Sequence, residues 1–170
     1  MLQELQRRRE GAKAMQSGFR IGVISDTHGL LRPEALEALR GARHIIHAGD
    51  IGAPEIIDAL RVLAPTTAIR GNIDKAVWAS RYRDTESFSM GDMRFHVVHD
   101  LAELRFAALG ADASVVVSGH SHRPKIEMRG GVLFLNPGSA GPKRFKLPVT
   151  VASLWIAPGQ LEPEIHHLAV

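Results

Sequence analysis

The sequence contains no cysteine, few aromatic residues and no long apolar run. Without Cys, the chain cannot form disulfides, iron–sulfur clusters, zinc–thiolate sites or a Cys nucleophile. Aromatic residues make up 5% of the chain, and no platform for stacking nucleic-acid bases is evident. No apolar run approaches the roughly 20 residues that a membrane helix needs. We therefore expect a cytoplasmic protein with neither a membrane nor a nucleic acid as its partner.

The remaining composition is that of an ordinary folded protein. The chain has 170 residues, of which 45% are hydrophobic and 23% are charged. This length can bury a real core, and the composition excludes a largely disordered chain or a collagen-like fibre. The formal net charge of +3 favours anionic partners but is too small to indicate nucleic acid by itself.

The order of apolar and polar segments predicts one α/β domain after a charged tail. We interpret residues 1–18 as an N-terminal tail or extension that can be helical, and residues 19–170 as a single domain. The first half predicts a strand, a helix, a strand, a helix and a strand, which indicates right-handed βαβ units and a parallel core. The second half is richer in strands and includes a helix predicted over residues 101–109.

Seven polar side chains follow the predicted strands at the point where each strand ends. They are Asp26, His28, Asp50, Asn72, His99, His120 and His122. Ligands of open α/β sheets bind beyond the carboxyl ends of the strands, so we expect these side chains to converge on one edge. Each residue alone has an ordinary explanation, such as a cap, a turn or a core imidazole. Five successive strands that all end in such groups are better explained by a metal site.

The donor types indicate which metals this site binds. Carboxylate, amide and imidazole groups without thiolate suit divalent ions such as Mn²⁺, Fe²⁺, Co²⁺ or Zn²⁺. Seven donors are too many for one ion that keeps open positions, whereas a carboxylate that bridges two ions about 3.5–4 Å apart uses them naturally. We predict two divalent metal ions, with Mn²⁺ preferred and Fe, Co, Ni or Zn as alternatives.

The order of these motifs resembles the calcineurin-like metallophosphoesterase superfamily. The resemblance rests on the segments ISDTHG, IHAGD, RGN and LNPGS at residues 24–29, 46–50, 70–72 and 135–139, together with His99 and the His120-x-His122 pair. It covers roughly residues 20–156 and is closer to the small single-domain phosphodiesterases of bacteria and archaea. The implied fold is a four-layer αββα sandwich, in which two mixed β-sheets pack between helices.

The resemblance also implies a role for each of the seven residues. Asp26, His28 and His122 would bind one metal, Asn72, His99 and His120 would bind the other, and Asp50 would bridge them, with Asp50, Asn72 and His99 as the catalytic residues. The implied activity is hydrolysis of a small phosphoester, foremost a phosphodiester, by in-line attack of a hydroxide that bridges the metals. A homodimer or homotetramer is the implied alternative to a monomer.

Two residues depart from the superfamily pattern. Ile73 stands where many members have a His that donates a proton to the leaving oxygen, although the small phosphodiesterases commonly lack it too. Because general acid catalysis contributes about 10²–10⁴-fold, we expect weak activity on poor leaving groups. Asp100 stands where Gly commonly follows the metal-binding His. We interpret it as the N-cap of the helix at 101–109, with a role in orienting a nearby imidazole as the alternative.

Two other functions remain open from the sequence. The absence of a His at residue 73 is compatible with a catalytically weak protein-binding scaffold, which the retromer subunit of this fold family resembles. The Arg7–Arg9 run slightly favours a nuclease. Because all seven ligand positions are filled, an enzyme is the preferred interpretation. Around the site, we expect Asn136 and Ser139 to support the metal-bearing edge, and Lys143, Arg144 and Lys146 to form a solvated basic loop.

Overall fold

The computed structural model describes residues 18–170, which form two five-stranded mixed β-sheets and two α-helices. The tail predicted at residues 1–18 therefore lies, except for Gly18, outside the described residues. The strands are β1 (Phe19–Ile24), β2 (His44–His47), β3 (Thr66–Ala68), β4 (Thr85–Met90), β5 (Met93–Val98), β6 (Val115–Val117), β7 (Lys125–Arg129), β8 (Val132–Asn136), β9 (Thr150–Ala157) and β10 (Gln160–His167). The helices are α1 (Pro33–Leu39) and α2 (Pro54–Leu63).

The first sheet has the strand order β10-β9-β1-β2-β3 and contains the predicted parallel core. Strands β1, β2 and β3 are parallel neighbours, and α1 and α2 connect them as the sequence predicted. Strands β9 and β10 add antiparallel to the other side of β1. Because both faces of this sheet are covered, β1 is apolar at successive positions and its last four residues are buried.

The second sheet has the strand order β4-β5-β6-β8-β7. Strands β5, β6 and β8 run parallel, and two hairpins supply the outer strands β4 and β7. Gly130 and Gly131, at φ of 55° and 80°, form the turn between β7 and β8. A two-residue hairpin turn with positive φ at both positions matches the twist of the strands and favours glycine.

The main core lies between the two sheets. Ile21 and Val23 of β1 are fully buried in one cluster with Phe95 and Val97 of β5. A second cluster joins the two helices to the outer face of the first sheet and includes Ile24, Leu39 and Ile57. The structure thus confirms the predicted α/β sandwich of two mixed sheets.

The prediction of a helix over residues 101–109 is wrong. This segment forms two short 3₁₀ helices, Leu101–Glu103 and Phe106–Ala108, which are separated by extended backbone at Leu104 and Arg105. A nine-residue helix gains little stability by itself, so packing decides the local structure. Here Leu101, Leu104 and Leu109 instead pack on the outer face of the second sheet, beside Val116 and Phe134 of β6 and β8. The layer over this sheet is consequently thinner than the helical layer over the first.

The described helices are also too short or too polar to span a membrane: within residues 18–170, no helix meets the length and apolarity that crossing requires.

Candidate metal centre

The seven predicted ligands lie together at one edge of the two sheets. Asp26 and His28 follow β1, Asp50 follows β2, and Asn72 follows β3. From the second sheet, His99 follows β5, and His120 and His122 follow β6. Both sheets therefore direct the carboxyl ends of their parallel strands to this site.

The first group of donors consists of Asp26, His28 and His122. The Nε2 atoms of His28 and His122 lie 3.2 Å apart, and Nε2 of His122 lies 3.2 Å from Oδ1 of Asp26. Nε2 of His28 lies 3.8 Å from the same oxygen. One donor atom from each residue falls within 4.8 Å of the others, which is compact enough to surround one ion.

The second group consists of Asn72, His99 and His120. Oδ1 of Asn72 lies 3.1 Å from Nε2 of His99 and 3.2 Å from Nδ1 of His120. The amide oxygen thus faces one nitrogen of each imidazole, as it would in a shared coordination shell.

Asp50 lies between the two groups. Its Oδ2 is 3.7 Å from Nε2 of His28, and its Oδ1 is 3.3 Å from Nε2 of His99. Each carboxylate oxygen therefore faces a different group. This is the position that the family resemblance implied for the bridging residue, although the ligand roles themselves stay predictions.

The arrangement of lone pairs indicates that a cation belongs in this site. Oδ1 of Asp26 is buried without a hydrogen-bond donor, although the Nε2 atoms of His28, His99 and His122 face it within 4.0 Å. Nδ1 of His99 donates to the Ala48 carbonyl at 2.7 Å, so Nε2 of the neutral ring carries a lone pair toward the oxygens of Asp50 and Asn72. Metal-binding histidines are usually oriented by such a bond from the other ring nitrogen. The donor set therefore fits divalent metal ions.

The pKa shifts reflect the same crowding of charge. Burial by itself lowers the pKa of His99, but Asp50, the Ala48 carbonyl and Asp26 outweigh it and raise the pKa. Burial raises the pKa of Asp50, but the hydrogen bond and charge of His99 and the Ile73 N–H lower it further, so the net shift is downward. A proton and a metal ion would therefore compete for Nε2 of His99.

Backbone strain is concentrated at the same residues. Among residues 18–170, six non-glycine residues have positive φ, and five of these are predicted ligands: Asp26, His28, Asp50, His120 and His122, with φ between 47° and 66°. This left-handed conformation costs on the order of 1–3 kcal/mol per residue and persists where the surrounding structure enforces it. The strain supports a functional role for these five positions.

Two glycines permit the close packing of the ligand loops. A Cβ atom at Gly71 would collide with Oδ1 of Asp50, and one at Gly119 would collide with Oγ of Ser25 and approach Oδ2 of Asp26 to 2.7 Å. Any side chain at these positions would displace a carboxylate.

Residues expected to support the edge are placed to do so. Nδ2 of Asn136 donates to the Gly119 carbonyl at 2.7 Å, and Oγ of Ser139 donates to the Asp26 carbonyl at 2.9 Å. Both bonds hold backbone next to a predicted ligand.

Sequence reasoning missed Asp74, which fastens two of the ligand loops together. Its buried carboxylate accepts hydrogen bonds from the backbone N–H groups of Ile51 at 3.0 Å, Gly52 at 2.9 Å and Gly71 at 2.8 Å. The loops after β2 and β3, which carry Asp50 and Asn72, are thereby joined. The available signal was an Asp two residues after Asn72 in a glycine-containing loop.

The two departures from the superfamily pattern have clear structural positions. Oδ1 of Asp100 accepts from the Ala102 N–H at 2.9 Å, so the residue caps a turn, although it is a 3₁₀ turn instead of the expected helix. Its Oδ2 lies 3.6 Å from Nε2 of His120, which also places it beside an imidazole. The Ile73 N–H donates to Oδ1 of Asp50 at 3.1 Å, while its side chain offers no proton.

The basic loop after β8 lies next to the first donor group. Lys143, Arg144 and Lys146 are exposed, as the sequence predicted. Burial lowers the pKa of His28, and the nearby positive charge of Arg144 adds to this shift, which favours the neutral imidazole that binds metal.

Comparisons with known proteins agree with this geometry. The chain is 38% identical over 156 residues to a probable metallophosphoesterase of Methanothermobacter thermautotrophicus, covering 85% of this chain and 90% of that protein. A solved archaeal phosphodiesterase superposes with a TM-score of 0.73 at 26% identity, covering 88% of this chain and 99% of that one. Vacuolar Protein Sorting 29 from Cryptosporidium parvum shares the fold, with a TM-score of 0.71 at 16% identity over 90% of this chain and 99% of the other.

The family model of the calcineurin-like phosphoesterase superfamily domain matches residues 19–158, which contain strands β1 to β9 and all seven predicted ligands. On this match and the 38% identity to the archaeal relative, the chain belongs to the calcineurin-like metallophosphoesterase superfamily.

Proposed function

We propose that the protein is a phosphodiesterase that uses two divalent metal ions to hydrolyse a small phosphoester. The observation that carries this proposal is the position of Asp50, whose two carboxylate oxygens face two different groups of donors. A single-metal site would not need a carboxylate between two sets of imidazoles.

The residues divide between the two ions as follows. Asp26, His28 and His122 would hold the first ion, Asn72, His99 and His120 would hold the second, and Asp50 would be shared between them. The oxygen and imidazole donors suit Mn²⁺ first, with Fe, Co, Ni and Zn as alternatives.

The side chains of the protein contribute by positioning the metal ligands and by supplying negative charge. When bound, two metal ions lower the pKa of a water molecule toward neutrality and neutralise charge on the phosphoryl oxygens. Asp50, with its lowered pKa, supplies negative charge between the donor groups. The Ala48 carbonyl fixes the ring of His99, and Asp74 fixes the loops of Asp50 and Asn72 relative to each other.

Two observations favour a diester with a good leaving group. Residue 73 is an isoleucine, so the position that carries a general acid in many superfamily members donates no proton. Esters whose leaving oxygen departs as a stable anion, such as a phenolate, should therefore react fastest. The structural similarity to a solved archaeal phosphodiesterase, at 26% identity, points to the same substrate class.

The test is the Asp50→Asn variant, assayed on bis(4-nitrophenyl) phosphate after reloading with Mn²⁺. Substitution of a residue that only orients a metal ligand typically lowers metal affinity or activity by about 10–100-fold. Removal of the bridging carboxylate should therefore lower kcat/KM by more than about 100-fold. Asp58→Asn, an exposed carboxylate on α2, is the matched control and should retain activity. Full turnover by Asp50→Asn would show that this residue is not the bridge.

A protein-binding scaffold of the same fold is the second candidate. It is favoured by the missing proton donor at Ile73. The two candidates separate in a hydrolysis assay of the reloaded protein with Mn²⁺, Co²⁺, Ni²⁺ and Zn²⁺. Absence of hydrolysis with every metal would favour the scaffold.

We further propose a homodimer or homotetramer, which sedimentation analysis would distinguish from a monomer.

A further inference from the structure

A cavity of about 470 Å³ opens beside the second donor group, on the outer face of the second sheet. His120 lines this cavity and also faces Asn72 through Nδ1, so the cavity adjoins the candidate metal centre directly. The mechanism described above makes no use of this space.

The floor of the cavity is built from the ends of three strands. Asn136 of β8 pairs with Lys125 of β7, and Ser118 follows β6 beside them, where its N–H donates to the Leu135 carbonyl. Phe134 lies two residues before Asn136 and therefore on the same face of the sheet. The floor thus combines an aromatic ring with hydroxyl and amide groups.

Short turns, and not a continuous helix, border this floor on the side of the outer layer. Asp100 and Leu101 form one side of the cavity where the chain enters its first 3₁₀ helix. Phe134 itself is 6% exposed, because Leu101 and Leu104 pack against it and the Arg129 guanidinium lies 5.0 Å from its ring centroid, so the cavity opens at the border of this ring. Pro124 adds another apolar wall, and Arg123 lines the cavity with a positively charged side chain.

We propose that this cavity binds the organic group of the phosphoester, with the phosphoryl group at the metal centre. The inference rests on the phosphoesterase function proposed above and specifies its substrate class: an ester that carries one planar group of aryl or nucleobase size. The volume falls within the usual range for small-molecule sites, which are apolar with a few polar groups. Leu101 and Pro124 provide apolar contact at the walls, above a floor in which Phe134 and Ser118 are buried.

The test compares the binding of two phosphonates to the Mn²⁺-loaded protein by titration calorimetry. Methylphosphonate and phenylphosphonate present the same anion, but only the second carries a ring. We expect phenylphosphonate to bind at least about tenfold more tightly, because a buried ring adds apolar contact. The measurement needs no turnover.

Two variants that each introduce a large ring at a residue lining the cavity should abolish this preference. Leu101→Trp and Lys125→Trp should each bring the ratio of the two Kd values close to one, and either variant suffices if the other fails to fold. Val62→Trp, on the exposed face of α2, is the control and should keep the wild-type ratio.

The outcomes separate this inference from the proposed function. Equal affinity for both phosphonates in the wild-type protein, or an unchanged ratio in the folded Trp variants, would overturn the role of the cavity alone. If neither phosphonate binds the metal-loaded protein, the phosphoesterase proposal fails, and the inference that rests on it fails with it.

Discussion

Individual residues at this site are held by partners far away in the sequence. The Asp74 carboxylate accepts hydrogen bonds from the backbone N–H groups of residues 51, 52 and 71, and the His47 ring is hydrogen-bonded to the Thr27 hydroxyl. The sequence predicted the seven donors because they follow strands in a recognisable order. It did not predict Asp74, because its bonds to backbone groups 22 and 23 positions earlier leave no pattern in residue types.

Replacing Asp74 by Asn should weaken both folding and metal binding. An Asn side chain retains one acceptor oxygen, but its NH₂ group then faces a backbone N–H. We expect a loss of about 1–3 kcal/mol in the free energy of unfolding, which is the cost of an unsatisfied buried donor. Urea denaturation in a chelator measures this loss, and Asp58→Asn should stay within about 0.5 kcal/mol of wild type. An Asp74→Asn variant as stable as wild type would contradict the role assigned to this carboxylate.

His47 should make the metal-free protein less stable in acid. The Thr27 hydroxyl donates to the Ile51 carbonyl at 2.9 Å, so His47 donates to Thr27 through Nε2 and accepts the Gly49 N–H through Nδ1. Protonation of Nδ1 would place its N–H against the Gly49 N–H, so that two donors would face each other. Burial accordingly lowers the pKa of His47 from 6.5 to about 4.

The sign of this effect follows from proton binding. Between pH 6.5 and about 4 the unfolded chain binds a proton at His47 that the folded chain does not, so stability falls as the pH decreases through this window. The contribution amounts to a few kcal/mol at most, at about 1.4 kcal/mol per pKa unit. Urea unfolding at pH 7, 6 and 5 should show a shallower decline for His47→Gln than for wild type or His167→Gln. Identical slopes in all three proteins would exclude this contribution.

At the scale of elements, strands and their connections followed from apolar runs and glycine turns, whereas the segment at 101–109 did not. Its residue types allow a helix, but contacts with Val116 and Phe134 determine its structure. Leu104 has φ and ψ of −62° and 119°, which is the extended conformation that precedes proline, and Arg105 has φ of −92°.

The Arg105→Pro variant distinguishes the two structures of this segment. In the observed turns, proline at residue 105 should cost only about 1 kcal/mol, because Leu104 is already extended and the φ of Arg105, −92°, needs a modest change toward the −65° of proline. In a continuous helix the same change would cost about 3 kcal/mol or more. Asp58→Pro, in the middle of α2, provides the helical reference in the same urea titration. A loss at residue 105 as large as that at residue 58 would indicate a helix.

At the scale of the whole molecule, the fold positions the site by bringing two sheets to a common edge. Each sheet contributes a parallel set of strands, and the buried cluster of Ile21, Val23, Phe95 and Val97 fixes one set against the other. The sequence predicted this convergence because ligands collect at the carboxyl ends of parallel strands. It could not predict the cavity beside His120, which depends on how the segment after His99 packs on the second sheet.

We infer that Asp50 joins two metal ions that the six other donors hold. The most direct measurement is anomalous diffraction from crystals of the Mn²⁺-loaded protein. We expect two anomalous peaks per chain, one beside Asp26, His28 and His122 and one beside Asn72, His99 and His120, with Asp50 in contact with both. A single peak, or peaks away from these side chains, would contradict it.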